Sequence, residues 1–231
     1  MLSKIKQELK ENSHLDKAKI YQRFFKTGPG QYGEGDKFLG LTMPEQRIIA
    51  KKYVDTPLNE IEELIQSPYH EHRMTGLIIL TYKYLKADEE LKKEIYNIYI
   101  KNYNQINNWD LVDVTAPRII GTYLLDKDRK ILYDFASSNH LWKKRISIVS
   151  TYTFIKNKDF KDTIKISEIL LNDTHDLIHK AVGWMLREMG KIDEKELLNF
   201  LDKHHKKMPR TMLRYSLEKL DQNKKKFYMK K

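Results

Sequence analysis

Apolar residues recur at spacings of three and four along almost the whole chain, the period of an α-helix, and no segment alternates as a half-buried strand does. The pattern predicts helices over 2–11, 14–26, 44–53, 57–66, 69–86, 88–103, 108–124, 128–137, 140–156, 160–171, 174–190, 193–205 and 209–220. Thr42 stands before "MPEQR", with Pro44 in the first turn and Glu45 three residues on, the signature of a capping box. Asn108, Asp173 and Thr174 read as further N-caps. Pro117 has no N–H to give the carbonyl of Asp113, so the 108–124 helix is expected to kink there. The stretch "DQNKKKFYMKK", 221–231, reads as a frayed basic tail.

From residue 57 onward a shorter helix precedes a longer one, repeatedly. Arg73, Arg145, Lys180 and Arg210 open four of the longer helices, at intervals of 72, 35 and 30, the first equal to two repeats of 36. The skipped slot belongs to the "NWDLVD" helix, which places Asp110 and Asp113 there instead. Helical pairs at this period describe an all-α, HEAT-like repeat solenoid, one domain over 1–231. Stacking sets equivalent helices side by side, so the four cations are expected as a basic track along the concave face, broken by one acidic repeat. A carboxylate in mid-track repels phosphate. Its presence points to chemistry on a cation.

Charge sharpens the picture. The formal net charge is +11, and residues 140–231 hold +10 of it, 22 Lys and Arg against 12 Asp and Glu. Such asymmetry favours a polyanion as partner, nucleic acid first; the competing reading is a merely solvated basic surface. The chain has no Cys, which excludes disulfides and thiolate metal sites and fits a reducing cytoplasm. "MLSKIKQELKENSH" lacks the apolar core of a signal peptide. No apolar run approaches the roughly 18 residues of a membrane span. The Gly-rich "TGPGQYGEGDKF", 27–38, lacks the Gly-Lys-Ser/Thr ending of a phosphate loop, and Glu34 and Asp36 would repel phosphate. It reads as a helix–helix connection that needs several positive φ angles.

Two constellations stand out. Trp109 and Asp113 lie one helical turn apart and point the same way. They are either a core Trp beside an acid favoured by the helix dipole, or a paired site. Lys180, Trp184 and Arg187 form one stripe, with Gly183 leaving room for a close approach; an aromatic between two cations suits a nucleotide backbone. Arg145 reads equally as a surface charge. His175 and His179 share a helix face, but no third ligand completes a zinc site, so no metal and no cofactor is expected. "HEHR" at 70–73 and "HHKK" at 204–207 read as solvated. A nucleophile-elbow serine motif is absent.

From "YQRFF" and "FLGLTMPEQR" through "NNWDLVD", "LWKKRISIVS" and "HKAVGWMLRE" to "MPRTMLRYSLEKL", the chain resembles the DNA alkylation repair family, the AlkD-like alkylpurine DNA glycosylases. The resemblance implies a HEAT-like solenoid with a basic concave face. It implies hydrolysis of the N-glycosidic bond of positively charged N3- or N7-alkylated purines in duplex DNA, without base flipping. It makes Asp113 the catalytic carboxylate, sets Trp109 and Trp184 against the deoxyribose and backbone, and gives Arg145 and Arg187 nearby phosphates. Thr42 and Arg47 fall in a segment of additional backbone contacts, and Arg73, Lys180 and Arg210 join the DNA contacts through the expected track. The expected protein is a monomeric cytoplasmic enzyme, nucleoid-associated through DNA. The alternatives are a non-catalytic solenoid that binds damaged or branched DNA, and a protein-binding scaffold, against which the +10 segment speaks.

Overall fold

The computed structural model describes residues 1–230. Among them all regular elements are helical, and an isolated backbone bridge joins Lys37 to Tyr69. No helix is long and apolar enough to cross a membrane. The chain packs as two compact units, Met1–Thr115 and Ala116–Lys231.

The first unit holds α1 (Leu2–Glu11), α2 (Leu15–Phe24), α3 (Met43–Lys52), α4 (Leu58–Ile65), α5 (His70–Tyr84), α6 (Glu89–Lys101) and all but the last residue of α7 (Trp109–Ala116). Helix α5 is its centre. "TGLIIL" leaves no polar face, so the helix is buried all round, against α3, α4 and α6. The capping box at α3 forms: Glu45 accepts from the Thr42 N–H and from the Thr42 hydroxyl, each at 2.6 Å. The Gly-rich connection turns through positive φ at Lys26, Gly30 and Gly35. Its end is tacked to the start of α5, where Lys37 donates to the Pro68 carbonyl at 3.0 Å and accepts from the His70 N–H at 2.8 Å.

The second unit opens with a π-helical turn, Pro117–Gly121, where a kink was expected. A residue without an N–H breaks the i→i−4 series, and the wider turn absorbs the break. There follow α8 (Lys130–Ala136), α9 (Leu141–Lys156), α10 (Lys161–Ile169), α11 (Asp176–Ile192), α12 (Glu194–His204), α13 (Arg210–Leu217) and α14 (Gln222–Met229). Helices α9, α11 and α13 lie side by side in that order, with α8 and α10 packed against α9 and α12 against α11.

Two expectations are corrected. The tail is a helix rather than frayed: Asp221 caps α14, accepting from the N–H groups of Asn223 and Lys224 at 2.9 Å. Tyr228 is buried there and donates its hydroxyl to Asp202 at 2.7 Å. The cap of α11 is His175, whose Nδ1 accepts from the Leu177 N–H at 3.1 Å, while Asp173 steadies the turn by accepting from the His175 N–H.

The close approach at Gly183 is made by α13. A Cβ there would meet the Met212 carbonyl oxygen and the Tyr215 Cβ, each at 2.5 Å. Gly183→Ala therefore forces backbone apart rather than a flexible side-chain tip. Urea unfolding should show a lower midpoint at unchanged m-value, equivalent to about 1–3 kcal/mol.

Candidate functional site

Helix α7 starts under tight control. Asn108 is buried and accepts from the Trp109 N–H at 2.9 Å. Asp110 reaches His70 Nε2 at 2.8 Å. On its other side, His70 Nδ1 lies 3.6 Å from Asp36, and Asp36 meets Arg73 at 2.7 Å. Asn107 closes the circuit: it accepts from Arg73 and donates to Asp36, each at 3.0 Å. Arg73 also donates to the Ser67 carbonyl at 2.9 Å. The chain of charges Arg73–Asp36–His70–Asp110 thus alternates in sign, with the first three buried and Asp110 half-buried at its outer end. Burial alone pushes the His70 pKa down, but Asp110 and Asp36 override it and hold it up at about 9. Asp36 is held below the usual carboxylate range by His70 and Arg73, against the opposing effect of its burial.

This placement corrects two readings. "HEHR" is not solvated: His70, Glu71, His72 and Arg73 are all buried. Glu71 accepts from the backbone N–H groups of Leu39 and Gly40 at 2.9 and 2.7 Å. Burial drives the His72 imidazole down to about 4, so it is neutral, and it pairs with the Ser67 hydroxyl at 2.8 Å. Nor is Arg73 an exposed cation on a track, because its guanidinium is 2% exposed and spent on the circuit.

Trp109 is half-buried. It stacks on Phe25 (centroids 5.4 Å apart, planes at 27°) and meets Phe24 edge-on at 5.8 Å. Asp113, one turn on, is also half-buried. Tyr99 supports this turn from beneath: its hydroxyl lies 3.0 Å from that of Thr115, which donates to the Leu111 carbonyl. Burial, with Asp113 adding to it, raises the Tyr99 pKa far above neutrality, so the phenol stays protonated. Thr42 is committed to its capping box, and Arg47 is half-buried on α3.

The remaining candidates stand in the second unit. Trp184 is half-buried and lies against Tyr152, with centroids 6.1 Å apart. Arg187 pairs with Glu188 at 3.2 Å and with Glu218. Lys180 pairs with Asp176 at 2.7 Å and stays 41% exposed. Arg210 is exposed and donates to the Met229 carbonyl at 3.2 Å. Arg145 departs from expectation: it is 4% exposed and donates to the Leu177 carbonyl at 2.5 Å, clamping α9 to the first turn of α11. The expected row of four surface cations is therefore reduced to Lys180 and Arg210, because Arg73 and Arg145 turn inward as anchors. His179 is also engaged, its Nε2 lying 2.5 Å from the Asp173 carbonyl oxygen. Among the described residues no group of three or more His, Asp or Glu side chains is placed to hold a metal ion.

What the sequence did not disclose is the first unit's ion circuit. Its parts, Asp36, His70, Arg73, Asn107 and Asp110, come from three distant segments, and only the bare charges in the Gly-rich loop and in "HEHR" hinted at it. A His whose folded pKa is raised lends stability that is complete below its unfolded value of 6.5 and is lost as pH rises through about 9. Unfolding free energy measured across that window should fall by up to roughly 3 kcal/mol, and His70→Gln should flatten the fall.

A sequence model of the family described as DNA alkylation repair enzyme matches residues 5–220. A solved structure described as a predicted DNA alkylation repair enzyme from Enterococcus faecalis superposes with a TM-score of 0.72 at 16% identity, over 91% of this chain and 97% of that one. That likeness shows a shared helical fold. No curated relative matches by sequence. Since the family match spans nearly every helix of both units, the chain belongs to the DNA alkylation repair enzyme family.

Proposed function

We propose that the protein is a DNA glycosylase that hydrolyses the N-glycosidic bond of cationic N3- or N7-alkylated purines in duplex DNA. The observation that carries this reading is the pairing, on the rigidly held α7, of a half-buried indole with a half-buried carboxylate one turn away. Alkylation at N3 or N7 makes the purine a cation and hence a ready leaving group, so no strong general acid is needed. The glycosidic electron pair returns to the ring nitrogen and neutralises the base. Positive charge builds on the sugar as an oxocarbenium ion, which a facing carboxylate stabilises. Asp113 performs that role and orients a water, whose oxygen bonds to the sugar carbon while its proton passes to the carboxylate or solvent. The face of Trp109 favours the same cation, and Trp184, in the second unit, is proposed to pack against the DNA backbone. This chemistry at the sugar is the same whether the base stays stacked or turns out.

Lys180, Arg187, Arg210 and Arg47 are proposed to meet phosphates, and Thr42 to hold the end of α3 in place for Arg47. Arg145 acts through α11, fixing the helix that carries Trp184. Family membership supports repair of alkylated DNA and DNA as the partner.

The decisive measurement is release of free base from duplex DNA carrying 7-methylguanine. Wild type should release it, and Asp113→Asn should lose about 100-fold or more in single-turnover rate. Duplex binding without release would replace the enzyme by a DNA-binding protein. In salt titrations of duplex affinity, Lys180→Ala and Arg187→Ala should each lower the slope of log K against log salt by about 1, one phosphate contact apiece.

A further inference from the structure

The family match ends at residue 220, so α14 lies outside the part of the chain that the family accounts for. Within the second unit the helix is nonetheless held at four points. Asp221 caps it, Lys224 pairs with Glu194 at 2.7 Å, Tyr228 reaches Asp202, and the Met229 carbonyl accepts from Arg210. Tyr228 is the residue that the helix buries. An added element pinned this firmly sets its remaining side chains at fixed places.

Those side chains are of a distinct kind. His205, just past α12, packs against α14, with its ring 5.3 Å from Tyr228 and 6.5 Å from Phe227. Its Nδ1 donates to the Leu201 carbonyl at 2.7 Å, which fixes the ring. The turn before α13 is thereby set beside α14. Segments 202–210 and 221–230 hold eight Lys and Arg against two Asp, a net of +6. Both acids are engaged in the fold, Asp202 by Tyr228 and Asp221 at the cap. Lys206, Lys207, Lys226 and Lys230 are exposed, and none of them is in an ion pair among the described residues. Phe227 stands among these cations and is 59% exposed. Tyr228 meets it edge-on at 5.0 Å, His205 is a looser neighbour tilted by 35°, and Lys230 lies one turn on, on the same helix face. A lone exposed Phe needs no explanation. One set among unpaired ammonium groups has the composition of a surface that stacks a base and neutralises phosphates.

We propose that α14 and the turn before α13 bind an unpaired nucleotide of a DNA strand, its base on Phe227 and its flanking phosphates on Lys206, Lys207, Lys226 and Lys230. Inside a duplex each base is covered on both faces and offers only an edge, and a phenyl ring has no hydrogen-bonding group with which to read an edge. An unpaired base offers its face. The surface is therefore a grip on a strand end, a gap or a frayed pair. It adjoins Arg210, itself proposed to meet a phosphate, so it rests on DNA as the partner but not on the glycosylase reading. An anionic membrane surface is the less fitting partner, because α14 turns Tyr228 inward and leaves one exposed aromatic where an interfacial helix shows a broad apolar face.

The test is titration of the full chain, followed by fluorescence anisotropy, with a blunt duplex and with the same duplex extended at either strand end by a short run of unpaired thymidines. The extended duplex should bind about tenfold tighter. Phe227→Ala should remove that gain, and Phe227→Trp should keep it; both changes fall at an exposed position. Lys206→Ala and Lys226→Ala should each lower the slope of log K against log salt on the extended duplex by about 0.7. Equal affinity for the two duplexes, or a gain that survives Phe227→Ala, overturns the proposal. Capture of the chain by phosphatidylserine vesicles, lost in Phe227→Ala and without any gain from the extension, overturns it in favour of a membrane contact. Base release without the gain would leave the glycosylase and remove this surface, and the gain without base release would do the reverse.

Discussion

The salt-bridge chain Arg73–Asp36–His70–Asp110 governs the first unit, because each end of it seizes the entrance to α7. His70 holds Asp110 inside the helix, and Arg73 holds Asn107, two residues before the helix starts. Charges taken out of water cost several kcal/mol each, and their mutual attraction offsets this only where every lone pair and proton is met. Here the signs alternate and Asn107 and the Ser67 carbonyl supply further partners, but Asp36 Oδ2, His70 Nδ1 and Arg73 Nε have no hydrogen bond, so the offset is incomplete. Removing one member would strand its neighbour, a loss of about 3–5 kcal/mol. Such an arrangement adds little stability over an apolar core, but it fixes where a helix begins. The rotation of Trp109 and Asp113 about the helix axis follows from that start.

The second unit solves the same problem differently. Its long helices lie in a row, and their spacing is set by missing side chains and a clamp. Gly183 lets α13 close on α11, and Arg145 ties α9 to the first turn of α11. Trp184 is carried on the helix that both devices position. Trp184 is only half-buried, so its orientation comes largely from the backbone beneath it.

Much of this was legible in the sequence. Helical periodicity gave every helix except α14, with ends shifted by a few residues where 3.6-residue spacing runs on into turns. The capping box at Thr42 and Glu45 was readable because its grammar is local. The break at Pro117 was readable because the missing N–H is a property of one residue. What escaped depends on distance. Tyr228 gives the tail its helix by reaching Asp202, and Asp36 finds Asn107 across 71 residues. The cations at repeat starts showed the opposite error. Their regular spacing was real, but a periodic Arg can point inward as readily as outward when a carbonyl awaits it, as Leu177 awaits Arg145.

Arg73 draws a line between charge and shape. Its two terminal nitrogens serve three acceptors on three segments: the Ser67 carbonyl, the Asn107 amide oxygen and the Asp36 carboxylate. A lysine would keep the electrostatic balance of the circuit intact. It would still fail as a replacement, because one ammonium on a flexible stem cannot stand at three separated points held by a planar fork. At this position, exchangeability is decided by geometry, and a substitution table that groups residues by charge would misjudge it.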